Sequence, residues 1–561
     1  MRDAVWHLYV PKLVTVLRSG YGAQQLQRDI VAGLTVSIVA LPLAMALAIA
    51  SGTGPEKGLH TAIVAGFLIS LLGGSRVQIG GPTAAFIPVV FGVIERFGYG
   101  GLILCTLLAG IMLVGAGLLR LGTLLKYIPQ PVVTGFTAGI AVSIFSSQVK
   151  DFFGLGIDKV PADFFARWST YIAHAGTFNG ATVALAVLSL VLIVLLRRWK
   201  PLWPGFLIAV LAAAFAAAAL HLPVDTIGTR FGGIPATLPT FAIPHIPFER
   251  TRELFPSAFT IAFLAGVESL LSAVVADGMI GGRHRSNCEL VAQGVANMAS
   301  ALFGGLPATG AIARTATNIR SGARSPVAGM LHAVFLLVFM LLLAPLMQYV
   351  PLPVLAAVLV IVAWNMAEIE SFRHLMQGPL GDRLVLLATF VLTVVFDLTV
   401  AIEVGVVLSS FLFMHNMSGV VAMGSQVELV ESEVDDFDRA PAADQRAQLP
   451  PGVEAFQISG PLFFAVANRL DDVLNQFPSS PRVFILRMRQ VPLIDVSGVK
   501  ALAQMIERCR RNETRVVLSG LREQPREILA RMGVKPDGDV LRFAADFSEA
   551  VQIAQASAND A

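Results

Sequence analysis

Charge is what this sequence is short of. Asp, Glu, Lys and Arg make up 14% of its 561 residues, where soluble globular domains carry about 25%. Hydrophobic residues reach 55% and the mean hydropathy is +0.70. A single soluble globule is excluded, and a membrane is the expected environment. The scarcity is uneven. Residues 419–561 hold 36 of the 79 charged residues, so residues 1–418 are charged at about one position in ten. Two physically different parts therefore meet near residue 419. The net charge is +3, and the cations are scattered through short loops, leaving no stripe that could follow a nucleic-acid backbone. Nucleic acid is not an expected partner. Cysteine is also scarce. Cys105, Cys288 and Cys509 lie far apart and match no disulfide framework, zinc site or redox motif; no metal and no cofactor is expected. Residues 1–28 contain Arg2, Lys12, Arg18 and Arg28 and have no short apolar core followed by a cleavage site. They read as a cytoplasmic lead-in.

What the chain does have is apolar runs. A spanning helix needs about 20 mostly apolar residues, and candidates lie near 29–50, 58–73, 82–95, 101–119, 130–147, 180–197 and 203–221. A second series lies near 256–276, 288–303, 310–320, 326–349, 352–366, 381–396 and 398–416. The third member of each series is short and interrupted by Gly and Pro, at residues 73–88 and 304–314. Broken segments at matching positions of two halves point to an inverted-repeat transporter with its binding site at the midplane. With seven spans per half, the second half enters upside down. An N-terminus in the cytoplasm places Arg76, Arg120, Arg197, Arg285, Arg320 and Arg383, among others, on the cytoplasmic side, and both termini are then cytoplasmic. The expected divisions are a lead-in over 1–28, a membrane domain over 29–418, an acidic and proline-flanked linker over 419–450, and a small α/β domain over 451–555. In that last part 453–459, 482–488 and 515–519 read as strands and 464–477, 497–511 and 523–532 as helices.

Several residues stand out as chemistry. Pro82 suits the first turn of a helix that starts inside the membrane. The N–H groups of Thr83, Ala84 and Ala85, with the helix dipole, would then form an anion site needing no basic side chain. Ala311, Ile312 and Ala313 could do the same from the second half; glycine-rich packing hinges are the alternative. Arg314, four residues into the second break, adds positive potential or forms a structural ion pair. Glu268 sits within an apolar run, where an ionisable group is a functional candidate, with Ser272 one turn on. It could take up a coupling proton, or be locked permanently to Arg314. Asp397 and His332 read as loop and packing residues.

Over roughly residues 28–550 the chain resembles the sulfate permease family of anion transporters, the solute carrier 26 group. The motifs are Gly80-Gly-Pro-Thr-Ala-Ala85, Pro131-Val-Val-Thr-Gly-Phe-Thr-Ala-Gly139 with Gln148, Asn287-Cys-Glu-Leu-Val-Ala-Gln-Gly294 with Asn297, and Arg314-Thr-Ala-Thr-Asn318 before Gly322-Ala-Arg-Ser-Pro326. The stretches 41–48, 363–366 and 459–464 look closest to the DauA type, the dicarboxylic acid transporters. The resemblance implies an α-helical polytopic membrane protein of 14 spans, two inverted seven-span repeats divided into core and gate, and usually a homodimer. It implies an anion held between the third and tenth helices, at Pro82, Thr83, Ala84, Ala311, Ile312, Ala313 and Arg314, with Glu268 as the eighth-helix acid. Leu43 stands where many members have Gln, and His60 where Tyr is usual; both count against sulfate. The C-terminal part resembles a STAS domain, with Asp495-Val496-Ser497-Gly498 where anti-sigma-factor antagonists have Asp-Ser-Ser-Gly. Val496 replaces the phosphorylated serine, so that switch is not expected.

The expected function is secondary active transport of small anions in the cytoplasmic (inner) membrane. Specifically, it is proton-coupled uptake of C4-dicarboxylates such as succinate, fumarate or aspartate. The alternatives are a sulfate or bicarbonate transporter, the latter with Na⁺, and a membrane signalling protein reporting through the STAS domain. The expected partners are the anion, a proton, membrane lipid, a second copy of the chain and a cytoplasmic protein docked on the STAS domain.

Overall fold

Proline and glycine punctuate the apolar runs, and the helices start and stop there. Pro55 opens Pro55–Leu72, and Pro131 and Pro353 occupy the first turns of Gln130–Phe153 and Leu352–Met366, where the missing N–H has no helical partner to lose. Gly154 and Gly281 close Gln130–Phe153 and Thr251–Ile280 at φ 66° and 68°, a left-handed stop that suits glycine. The structure is a computed structural model. It describes residues 8–123, 129–200, 203–237, 239, 241, 250–396, 398–420, 422–424, 449–463 and 481–559. Asp397, the acidic run 428–438 and the expected helix over 464–477 lie outside these residues.

Two compact units result, Met1–Ser409 and Ser410–Ala561. Two series of seven helical segments carry the membrane part. The first comprises Ala23–Ala50, Pro55–Leu72, the two arms of Ile87–Leu118, Gln130–Phe153, Gly180–Trp199 and Gly205–Ala219. The arms meet at Gly98, whose φ of 69° and ψ of −176° break the helix. The second comprises Thr251–Ile280, Ser286–Leu302, Ile312–Arg320, Val327–Met347, Leu352–Met366, Leu380–Val395 and Leu398–Val420. Among the described residues, eight helices are long and apolar enough to cross a membrane individually. The third segment of each series is a half-helix. Ile312–Arg320 has 9 residues, about 14 Å of helix, against a hydrocarbon core of about 30 Å.

Packing sorts the segments into two groups. Ser286–Leu302 lies against Ile87–Leu118 and Pro55–Leu72, Val327–Met347 against Ala23–Ala50 and Pro55–Leu72, and Thr251–Ile280 against Ile87–Leu118 and Ile312–Arg320. Gln130–Phe153 instead packs on Leu352–Met366 and Leu380–Val395, and Gly180–Trp199 on Leu352–Met366 and Gly205–Ala219. The first group holds both half-helices. It is drawn tight by glycine: a Cβ on Gly294 would fall 2.5 Å from the Gly110 carbonyl oxygen, so the two backbones cross in contact. The half-helices are joined just before they begin. Strand β1 (Gly80–Gly81) pairs antiparallel with β2 (Thr309–Gly310), Gly80 opposite Gly310 and Gly81 opposite Thr309.

The second unit is built on one sheet, in the order β3 (Ala422–Gly424), β4 (Val453–Ser459), β5 (Val483–Gln490), β6 (Arg515–Ser519), β7 (Leu541–Ala544). Only β3 is antiparallel to its neighbour. Val496–Arg511 covers one face over Phe456, Phe484 and Leu486, and Phe547–Asn559 the other over Val453, Ile485 and Val517. Asp495 caps the first of these helices by accepting from the Gly498 N–H at 2.7 Å.

Three features add to the sequence reading. The lead-in contains a helix, Lys12–Arg18, and the first membrane helix starts at Ala23, because its first turns are polar and carry no apolar run. The linker over 419–450 contains β3, three residues too few for a period to register. β7 and the last helix follow the final expected helix.

Candidate anion-binding site

Both breaks begin with backbone that has left one helix and not yet entered the next. Each needs outside partners for its N–H and C=O groups. Ile79 donates to the Thr315 hydroxyl at 3.1 Å and accepts from the Ala311 N–H at 2.9 Å. Asn318 Nδ2 donates to the Val77 carbonyl at 2.8 Å. Asn297 closes the other side, accepting from the Ala308 N–H and donating to the Ala308 carbonyl, at 2.8 and 2.9 Å. The 314–318 and 287–297 motifs are therefore largely scaffolding for the breaks.

The sequence-expected residues come together here, with two changes of role. Pro82 is not in the first turn: Thr83 is the cap and the first half-helix starts at Ala84 in a tight three-residue turn before Ile87. Pro82 contributes its carbonyl, which accepts from Arg314 Nη2 at 3.1 Å. Ala311 does not offer its amide to a ligand, because that N–H is spent on Ile79. Ile312 and Ala313 follow it as the first helical residues, both exposed. As the opening turn, their N–H groups have no acceptor within the helix. The same holds for Ala84 at the other end, which with Thr83 and Ala85 is buried.

Arg314 is 3% exposed, and its Nη1 is buried with no hydrogen-bond partner. It is aimed at Gly81, where a Cβ would stand 2.5 Å from it. Glu268 is half-buried, and its Oε2 accepts from the Thr83 hydroxyl at 2.9 Å. Glu268 and Arg314 form no ion pair among the described residues. Ser272, one turn on, donates instead to the Thr315 hydroxyl at 3.2 Å. His332 is buried on Val327–Met347 with neither ring nitrogen bonded. Two helix N-termini, an unsatisfied guanidinium N–H and a carboxylate held by a hydroxyl thus share one place. Such a set can bind an anion and carry a proton beside it.

The sequence reading assigns no role to Glu289. It is fully buried and accepts from Gly74 N (2.8 Å), Ser75 N (3.2 Å), Ser269 Oγ (3.1 Å) and Gln293 Nε2 (2.8 Å). Ser269 in turn takes the Gln78 side chain at 2.9 Å. A carboxylate within the apolar run 288–303 was the signal that could have found it. A separate cavity of about 560 Å³ lies beside Ile87 and Pro88, lined also by Phe91, Ser147, Gln148 and Arg167; Thr83, Glu268 and Arg314 do not line it. Among the described residues, no group of three or more His, Cys, Asp or Glu side chains could hold a metal.

Comparisons with known proteins place the chain among anion transporters. The sulfate permease family profile covers residues 26–389 and the STAS domain profile residues 445–550. The chain is 42% identical to the putative sulfate transporter YvdB of Bacillus subtilis, over 92% of this chain and 95% of that one. It is 29% identical to the bicarbonate transporter BicA of Picosynechococcus, over 91% of each. Murine solute carrier 26 family member A9, an anion transporter solved in the inward-facing state, superposes with a TM-score of 0.87 at 19% identity, covering 99% of this chain and 95% of that one. The transmembrane domain of a cyanobacterial BicA gives 0.63 at 28% identity, over 68% of this chain and 98% of that one. A special closeness to the dicarboxylic acid transporters does not emerge from these matches. On its motifs, its paired half-helices and these matches, the chain belongs to the sulfate permease family and carries a C-terminal STAS domain.

Proposed function

We propose that this anion transporter, a carrier and not an enzyme, takes up C4-dicarboxylates such as succinate, fumarate or aspartate together with protons. The carrying observation is the meeting of Thr83, Glu268 and Arg314 at two helix ends. A substrate carboxylate is held by Arg314 Nη1 and the Ile312 and Ala313 N–H groups. Glu268 then stands close to a second negative charge, and like charges in a low-dielectric site favour protonation. One proton thus enters with the anion, and alternating access carries both as the first helix group moves past the second. On this reading the residues assigned to the site are Pro82, Thr83, Ala84, Ala311, Ile312, Ala313 and Arg314, with Pro82 and Ala311 as supports. The protein works in the cytoplasmic (inner) membrane with both termini inside, as a homodimer. The STAS domain, in a chain divided at 28, 418 and 450, regulates transport and can dock a cytoplasmic protein.

A second reading keeps the site and changes the ligand to sulfate or bicarbonate, favoured by the names of the relatives. Sodium coupling fits less well, since the Ser272 hydroxyl is engaged with Thr315. The test is thermal stabilisation of the purified chain by succinate, fumarate, aspartate, sulfate and bicarbonate. A ligand at 100 times its Kd adds about 2.7 kcal/mol. Stabilisation by the dicarboxylates and not by sulfate supports the proposal; stabilisation by sulfate or bicarbonate alone moves it to the second reading. Indifference to every anion sinks both.

A further inference from the structure

On the membrane face that carries the N-terminus, a groove of about 630 Å³ runs between helix ends. Its walls are Leu72, Leu118, Val291 and Val295, and Tyr9 and Arg120 stand at its rim. The rim is built, not frayed. Tyr9 donates its hydroxyl to the Gly117 and Leu118 carbonyls at 3.2 Å each, and the Cys288 thiol donates to the Tyr9 carbonyl at 3.5 Å. Leu118 and Leu119 are 61% and 74% exposed, so the groove is continuous with the surface that acyl chains cover.

The charge on this rim has one sign. Arg120 is exposed and held at φ 62°; its backbone bonds Gly117 and Thr123, while its guanidinium has no partner among the described residues. Lys12, Arg76 and Arg285 belong to the same face. Lys12 and Arg285 anchor through their backbone N–H groups to the Gly73 and Gly74 carbonyls, at 3.0 Å each. Burial, and then Arg285 and Arg76, hold the Lys12 ammonium below its ordinary value, with Asp277 opposing them, and the Arg285 guanidinium donates to the Val10 carbonyl and the Thr15 hydroxyl at 2.6 and 3.0 Å. Of the nearby acids, Asp277 takes His284 Nδ1 at 2.7 Å and also faces Lys12, and Glu289 is buried with four donors. An apolar trough that opens to the bilayer beneath the exposed Arg120 guanidinium matches one ligand chemistry, a phosphodiester on an acyl chain.

The geometry points to a binding site for an anionic phospholipid, its acyl chain along Leu72, Leu118, Val291 and Val295 and its phosphate at Arg120. This site is independent of the anion being transported. The test is native mass spectrometry of the full chain in detergent, titrated with phosphatidylglycerol, phosphatidylethanolamine or inorganic phosphate. Phosphatidylglycerol should load preferentially, and Arg120→Gln, a surface change that leaves the fold intact, should weaken it about fivefold. Val291→Trp, which fills the trough, should remove it while Arg314-dependent substrate binding persists. Equal loading of the two lipids, displacement of phosphatidylglycerol by inorganic phosphate, or unchanged loading in Arg120→Gln overturns the assignment.

Discussion

Arg314 and Glu268 could be picked from the sequence because a charge in an apolar run has few reasons to be there. What each touches could not be read, since the partners lie far along the chain. Ala311 shows the limit: its amide looks like its neighbours' in the sequence and is lost to Ile79 in the fold. Gly81 shows the opposite, a residue without chemistry that makes room for Nη1 of Arg314. Gly81→Ala should therefore push the guanidinium aside and weaken anion binding by about ten- to hundredfold, the range for a hydrogen bond to a charged group, read by titration calorimetry on folded protein. Wild-type affinity in that variant would mean that Nη1 does not hold the anion. For Glu268→Gln the expected outcome is different in kind. The amide copies the protonated acid but cannot release a proton, so substrate binds and internal for external exchange continues, while accumulation driven by a pH gradient stops. Proteoliposomes with and without an imposed gradient make the comparison, and accumulation by the mutant would return Glu268 to a structural role.

Helices were the most legible elements, because about 20 apolar residues in a row leave the backbone little else to do. The breaks were legible as Gly and Pro clusters. Their support was not, because it comes from side chains on other helices. Glu289 is the clearest case, a carboxylate that gathers Gly74, Ser75, Ser269 and Gln293 behind the first break. In Glu289→Gln an amide NH₂ meets donors where a carboxylate met them. A loss of about 1–3 kcal/mol follows from leaving a buried donor unpaired, seen as a lower thermal midpoint together with weaker substrate binding. A variant as stable as wild type would show that water or a rotated side chain fills the gap. Short strands escaped the sequence reading altogether, since two or three residues carry no period.

For the whole molecule, the charge contrast lies near residue 419 and the two compact units divide after Ser409, inside Leu398–Val420. The linker concealed β3, which pairs with β4, so a truncation must end before β3 to leave no unpaired strand. A chain ending after Val420 should stay folded and bind substrate with unchanged affinity while its transport rate changes; a folded product that binds nothing would place the STAS domain within the site. The pairing of Gly80 with Gly310 and Gly81 with Thr309 also bears on how the protein is made. When the first series of spans has entered the bilayer, β1 has no partner, and unpaired peptide groups in hydrocarbon cost several kcal/mol each. Counted from Gly81, more than two hundred residues must be made before β2 arrives at Thr309. Until that moment the nascent half must stay wet, borrow lipid headgroups or lean on an insertase, and the proposed binding centre is completed late.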